Sequence, residues 1–400
     1  MRKLSLALAV LLLLTLTGCG GNTGLLSGVT PSNVGKAADA APLVSGFTVE
    51  LFNAAYEGGD ALISPVSVLA AMAMTESGAR GETLAQMEDV FGVDAGTLRA
   101  ALAAYMQSVE GTEAKMANSI WFRDDGTFEP NADFLADCAS FAGADVFARK
   151  FNDAACRELN AWVSKHTDGM INGILDEIPA DAVMYLVNAL AFEADWAEQY
   201  DEYRLSDGTF HAISGDKTVQ MMSSEEYSYL SGEGFTGFMK PYSGGRYAFA
   251  ALLPDADVET LLGSLTGDTL AAALENAENT AVETTMPSFS GGSYTELSEA
   301  LEALGMTDAF DSGKADFTGM GRSELGNIYI SRALHKTYID VTPLGTRAGA
   351  ATVVEMTTEG AALPLEETKR VVLDRPFVYM IVDTEYDIPL FFGVMTGEGV

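Results

Sequence analysis

Residues 345–376, GTRAGAATVVEMTTEGAALPLEETKRVVLDRP, follow one strongly strand-like stretch and precede two more. Their first half has the form of a strand without an assigned place. Every second residue from Thr346 (Thr346, Ala348, Ala350, Thr352, Val354, Met356) is small or apolar. The other parity holds both charges of the segment, Arg347 and Glu355. Strand side chains alternate between faces, so this segment fits a sheet with one buried and one wet surface. It is poor in bulk and free of Pro from Thr346 to Leu363, as a ribbon that must slide between strands requires. From Glu359 to Arg370 the chain turns mixed and polar and reads as exposed loop. A loop of that length within a compact domain is usually functional or disordered.

Working outward, the N-terminus combines Arg2 and Lys3 with an apolar run and small residues before Cys19. The run is too short to span a bilayer and no stop-transfer pattern follows, which makes residues 1–18 an export signal. Leu16-Thr17-Gly18-Cys19 resembles the lipobox of bacterial lipoproteins, which implies that Cys19 is lipidated; an ordinary signal peptide cut nearby is the alternative. Residues 19–42 are rich in Gly, Ser, Asn, Ala and Pro and lack periodicity. They read as a flexible tether with a root-mean-square reach of about 25 Å. The expected product is exported and held at the cell surface by its lipid.

The rest, residues 43–400, is long enough for one large domain or two. A net charge of −34 excludes nucleic-acid and anionic-membrane partners, both of which need basic surface. Besides Cys19 only Cys138 and Cys156 occur, too few for a disulfide framework and set in apolar or helical surroundings. The three histidines, His166, His211 and His335, form no metal-ligand spacing, and no G-x-S-x-G elbow, HExxH, P-loop or strand-linked GxGxxG is present. His335 on an alternating strand reads as a satisfied core histidine. Carboxylate pairs carry little information in a chain this acidic. Turnover chemistry, cofactor and metal are therefore not expected.

Taken in order, Leu43–Tyr56 is an amphipathic helix by its apolar spacing. Ser64-Pro65 suits a helix start, Gly78 a helix end, and Gly81-Glu82-Thr83 the start of another. The stretch ISPVSVLAAMAM…GARGETLAQM closely resembles the serpin signature in which Ser-Pro-x-Ser opens a buried helix beneath a central sheet. Further similarity lies in Ala117–Phe122, in Leu159–Val163 with Thr167–Ile171, and in YLVNALAFEADW over Tyr185–Trp196, where Asn188, Phe192 and Trp196 keep the family's spacing. It continues through Met221-Met222, Tyr247–Pro254, Met286–Phe289 and Ala315–Met320. Ile328–Val341, containing His335-Lys336, is similar to the long strand before the reactive loop; Arg375–Phe377 and Pro389–Gly393 are similar to the closing strands.

The resemblance implies an α+β serpin fold with a large central mixed sheet, further sheets, about eight to nine helices and an exposed reactive centre loop. It also implies suicide inhibition of a serine or cysteine protease by a monomer that ends in a covalent complex. The cut loop enters the central sheet as a new strand. Gly345, Thr346, Ala348, Gly349, Ala350 and Ala351 keep the small-residue hinge of inhibitory members, while Pro343-Leu344 and Arg347 depart from it. Ser64, Ser67, Asn188, Trp196 and His335 match the region where the sheet opens, with the histidine expected to bond the Ser or Asn groups of the helix start. The family's insertion length counted from Gly345 puts the scissile bond at Glu359-Gly360, which suits an elastase-like or Glu-tolerant target. A bond at Ala361-Ala362, Leu363 or Met356-Thr357 stays open, because the downstream limb is long. The rival readings are a non-inhibitory serpin that binds a ligand or protein, and a surface lipoprotein of another class.

Overall fold

The computed structural model describes residues 24–27, 35–346 and 368–399. In chain order its strands are β1 (Ala61–Ile63), β2 (Ala114–Arg123), β3 (Phe128–Pro130), β4 (Asp145–Arg149), β5 (Met184–Phe192), β6 (Ala194–Asp195), β7 (Leu205–Ala212), β8 (Gly215–Gly232) and β9 (Phe235–Pro241). They continue as β10 (Tyr247–Pro254), β11 (Glu278–Pro287), β12 (Phe289–Glu296), β13 (Gly321–Ser323), β14 (Leu334–Val341), β15 (Gly345–Thr346), β16 (Lys369–Val372), β17 (Phe377–Asp383) and β18 (Ile388–Met395). The helices are α1 (Ala40–Ala55), α2 (Pro65–Gly78), α3 (Gly81–Phe91), α4 (Ala95–Ser108), α5 (Ala132–Ala142), α6 (Asp153–His166), α7 (Val258–Ser264), α8 (Gly267–Glu275), α9 (Ser298–Leu304) and α10 (Thr307–Phe310). The fold is α+β, as expected, with ten α-helices among the described residues.

Sequence chemistry accounts for the elements that matter here. Ser64 adopts an extended conformation and its hydroxyl accepts the Ser67 N–H, while Pro65 takes the first helical position and loses no hydrogen bond there. Twelve of the fourteen α2 residues are buried, because this helix lies between the central sheet and the rest of the core. Gly92 ends α3 at φ +70°, a conformation that only glycine adopts cheaply. Strands β10, β17 and β18 are buried at every position, and they read in the sequence as unbroken apolar runs for that reason. They sit inside a nine-stranded sheet of order β1-β18-β17-β10-β9-β8-β11-β16, with β7 paired to β8.

The central sheet is in two hydrogen-bonded pieces, β4-β2-β5 and β12-β14-β15-β6. Strand β5 runs through Glu193 into β6, so the pieces join at one end only. One face of the sheet, including Leu190, Phe192, Ala194, Ile339 and Val341, packs on the main core. On the other face a smaller cluster of Trp121, Leu159, Val163, Ile171 and Val187 seats α6 across β2 and β5. Helix α6 carries Leu159–Val163, one of the stretches in which the sequence resembles the serpin family.

Three segments differ from expectation. The strand foreseen over Ile328–Val341 is paired only from Leu334. Its partner β12 ends at Glu296 opposite Leu334; the Leu297 N–H still bonds Ala333 O at 2.7 Å, but the chain then turns into α9, so Ile328–Arg332 have no ladder neighbour on that side. The tether is not wholly detached: the Leu25 N–H bonds Val146 O at 2.6 Å, the Val146 N–H bonds Leu26 O at 2.9 Å, and Ala40 within it is fully buried at the start of α1. Finally, Lys369 and Arg370 are not loop. Both belong to β16, which pairs in parallel with β11 at the sheet edge and sinks Val371 into the core.

Candidate functional site: a gap in the central sheet

Among the described residues β5 pairs only with β2, and β14 only with β12 and β15. The facing edges of β5 and β14 therefore present unpaired backbone groups to one another, an open template for another strand. Below them lies a cavity of about 500 Å³ walled by residues that include Met72, Met184, Leu186, Leu301, Ile330 and Ala333. On the β5 side as well, no described residue pairs with Ile328–Ala333, which line this cavity.

The floor of the gap is a polar cluster where α2 starts. The Ser64 N–H donates to His335 Nε2 at 2.9 Å, so the ring is neutral and carries its proton on Nδ1. Burial pushes the His335 pKa down to about 4, which keeps that arrangement at neutral pH. The Ser67 hydroxyl donates to Asn188 Oδ1 on β5; Asn188 Nδ2 donates to Asn118 Oδ1 at 2.8 Å, and Asn118 Nδ2 to Ala142 O at 2.8 Å. Thus α2 is bonded to both lips of the gap, through Ser64 to β14 and through Ser67 to β5. In front, Lys336 Nζ on β14 donates to Gly173 O at 3.0 Å, in the segment after α6, and Asn160 of α6 holds Ile174 and Leu175 by their backbones.

The mouth of the gap is closed by the start of the decisive stretch. Thr342–Gly345 makes a tight turn, with the Thr342 N–H on Gly345 O at 2.9 Å, and returns the chain between the lips. Thr346 lies opposite Val341 on one side and Ala194 on the other, and Gly345 opposite Asp195. A Cβ on Gly345 would stand 2.3 Å from Ala194 O, so glycine is needed here for close approach and not for an unusual φ. Trp196 clasps the turn: its indole N–H donates to Thr342 O at 2.8 Å and its backbone N–H to Leu344 O at 3.0 Å. The Tyr200 N–H takes Pro343 O at 3.0 Å, so Pro343 serves in the turn as an acceptor and its missing N–H costs no ladder bond. Tyr242 stacks on Trp196 at 4.5 Å and shares a hydroxyl–hydroxyl hydrogen bond of 2.5 Å with Thr346, which is 2% exposed.

Among the described residues, then, β5 and β14 have no partner on their facing edges, and Gly345 and Thr346 lie between β14 and β6 at one end. The family model for Serpin (serine protease inhibitor) matches residues 43–397. The chain is a serpin. Among related proteins, Serpin B6 of Pongo abelii is 31% identical, over 82% of this chain and 91% of its own. Leukocyte elastase inhibitor A of Mus musculus is 31% identical, over 87% of this chain and 96% of its own. A crystal structure of the thermophilic serpin tengpin in its native state is 38% identical with a TM-score of 0.84, covering 93% of this chain and 97% of that one. The latent-state structure of the same protein gives 0.79 at 38% identity, covering 91% and 99%.

The residues expected to control sheet opening fall into two groups. Ser64, Ser67, Asn188 and His335 meet at the floor of the gap, whereas Trp196 stands at the mouth with Gly345 and Thr346. His335 bonds the Ser64 backbone; the Ser–Asn bond is made separately by Ser67. The remaining hinge positions Ala348, Gly349, Ala350 and Ala351, the bond Glu359-Gly360 with its alternatives from Met356 to Leu363, and Cys19 lie outside the described residues. Cys138 and Cys156 are free and buried, and burial pushes the Cys138 thiol up to about 12. Among the described residues no helix is long and apolar enough to cross a membrane, and no group of three or more His, Cys, Asp or Glu could hold a metal.

Two contributors escaped the sequence reading. Lys240 and Glu226 form a buried ion pair beside Trp196. Lys240 does carry a signal, since it shares the inward parity of β9 with Phe238. Tyr242 was missed because a tyrosine two residues on, just past the strand end, looks like any other buried aromatic.

Proposed function

We propose that this serpin is an irreversible suicide inhibitor of serine proteases, directed at an elastase-like or Glu-tolerant enzyme, with cysteine proteases as a secondary class. The observation that carries the reading is the placement of Gly345 and Thr346 between β14 and β6, at the mouth of a gap with two unpaired edges. Relatives named leukocyte elastase inhibitors support the target class. Extending the register by two-residue steps would bring Thr352 between His335 and Asn188, Val354 between Ala333 and Leu186, and Met356 beside Met184. The two large side chains would then enter the 500 Å³ cavity. Arg347, on the outer parity, would lie opposite Asp340 and Glu193, a favourable place for a cation.

The steps follow from that register. The protease's serine hydroxyl attacks the carbonyl of Glu359, forming an ester, and the Gly360 amine leaves with the limb rooted in β16. The freed upstream limb zips into the gap and carries the esterified protease with it. Its oxyanion-stabilising geometry is pulled apart before water can attack the ester. The serpin itself turns nothing over. As parts of the same proposal, the protein acts as an exported monomer anchored through lipid on Cys19.

The test is to incubate the domain with elastase-, chymotrypsin- and trypsin-like proteases and look for an adduct that survives SDS, with the bond read from the new N-terminus. An adduct with an elastase-like enzyme and a new N-terminus at Gly360 is expected. Clean cleavage by every active protease, with no adduct, defeats the inhibitory reading in favour of a non-inhibitory serpin.

A further inference from the structure

Lys240 is the one buried lysine among the described residues, 1% exposed, and its surroundings are specific. Its Nζ lies 2.8 Å from Glu226 Oε1, 4.5 Å from the centre of the Tyr200 ring and 5.5 Å from that of Trp196. Glu226 also accepts the Ser224 hydroxyl at 2.6 Å, and Ser224 shares a hydrogen bond of 2.9 Å with Thr284 on β11. A buried ion pair of this kind gives up so much solvation that apolar residues of the same size would hold the fold as well. What it supplies is position. Ammonium over an aromatic face is a directional contact, and both rings beneath this one belong to residues that grip the Thr342–Gly345 turn.

The pair also joins the two roots of the reactive loop. On one side it reaches Trp196 and Tyr200, which hold the upstream root. On the other, Glu226 lies opposite Val282 in the β8–β11 ladder, and Val282 lies opposite Lys369, the first residue of the downstream strand β16. We infer that Lys240 and Glu226 are positioning residues that set how firmly the mouth of the gap is held, and so how fast the uncut loop enters the sheet by itself. The inference rests on the insertion reading above. Without the pair, Trp196 keeps its stack on Tyr242 and its bond to Thr342 O but both rings lose the ammonium that links them, so the turn loosens and premature insertion consumes the inhibitor.

The experiment uses the double variant Lys240→Met/Glu226→Leu, which leaves no unpaired charge, in the full soluble domain. Wild type and variant are incubated at 37 °C without protease, and the remaining capacity to form adduct is followed with time. The expected result is a half-time shortened several-fold, a monomeric inactive product no longer cleaved in its loop, and an unchanged urea midpoint for the starting protein. Glu226→Asp keeps both charges and withdraws the carboxylate by one methylene; it should shorten the half-time by a smaller factor, and it decides the matter if the double variant does not fold. An unchanged half-time, or one that shortens only in step with a lower urea midpoint, overturns the inference. Wild type that forms no adduct with any protease overturns the function proposed above instead.

Discussion

His335 and Glu76 are both buried, and burial pushes their protonation in opposite directions along the pH axis. His335, lowered to about 4, stays neutral in the fold while the unfolded chain takes up a proton near pH 6.5. Its contribution is therefore complete above about 6.5 and is lost as pH falls through 4. Glu76, buried in the last turn of α2, has two carboxyl oxygens without a hydrogen-bond partner among the described residues, and burial raises its pKa to about 8. The fold keeps that proton while the unfolded chain releases it near 4.5, so the stability it supports at low pH is lost progressively as pH rises from 4.5 to 8. Glu76→Gln should remove the second slope and stabilise the uncleaved protein by on the order of 2–4 kcal/mol above pH 8, with no gain below pH 4.5. Urea midpoints across that range decide it, and a pH-independent gain would mean that the carboxyl is ionised in the fold. At the mouth, Thr346 is buried, paired on both sides and bonded to Tyr242, so Thr346→Arg should abolish adduct and leave cleaved serpin, because a buried charge would expel the start of the ribbon from which insertion continues. Retained adduct would refute the assignment of Thr346 to the inward parity. That parity was legible from spacing alone, because small residues recur at every second position. The reason for Gly345 was not, since its need is set by Ala194, far away in sequence.

Elements were most legible where one local rule decided them. Ser64-Pro65 fixed the start of α2, and unbroken apolar runs fixed β17 and β18. Expectation failed where an element depends on a distant partner. Ile328–Ala333 have strand-forming side chains, but β12 has already turned into α9 beside them and no described residue pairs with them on their other side. Lys369 and Arg370 look like loop residues yet are fixed by pairing with β11. The unladdered segment makes its own prediction. After cleavage in the reactive loop, amides of Ile328–Ala333 that face the gap should gain hydrogen-exchange protection of tenfold or more, because about 1.4 kcal/mol of local stabilisation suffices for that and a new ladder supplies it. The Ile330 and Ala333 amides, already bonded to Ala309 O and Glu296 Oε1, should change less. Exchange read by mass spectrometry on peptides covering 328–333, before and after cleavage, measures it directly. Protection unchanged in a fully cleaved sample would mean that the freed limb does not reach the lower half of the gap.

At the scale of the whole molecule, the proposed insertion requires the uncut fold to be the less stable of two arrangements of the same chain, and the two edges of the gap with the cavity under it supply a physical reason. A limb of about a dozen residues that pairs on both sides gains on the order of 10 kcal/mol from its ladder, at ~0.5–1.5 kcal/mol net for each hydrogen bond. Placing Val354 and Met356 in the cavity adds about 1.5–3 kcal/mol for each side chain. Against this stand the entropy lost on ordering the limb and, among the described residues, the contacts that hold the mouth and floor, a few hydrogen bonds through Trp196, Tyr200, Ser64 and Ser67. For a domain of this size 1 kcal/mol corresponds to roughly 2 °C, so cleavage in the loop should raise the melting temperature by roughly 20 °C or more. Calorimetry of uncut and cut protein at one scan rate and one pH is the measurement, since irreversible unfolding makes each value depend on rate. A cut sample that melts where the uncut one does would show that the limb gains nothing by entering the sheet. A protease attached to it would then never be displaced.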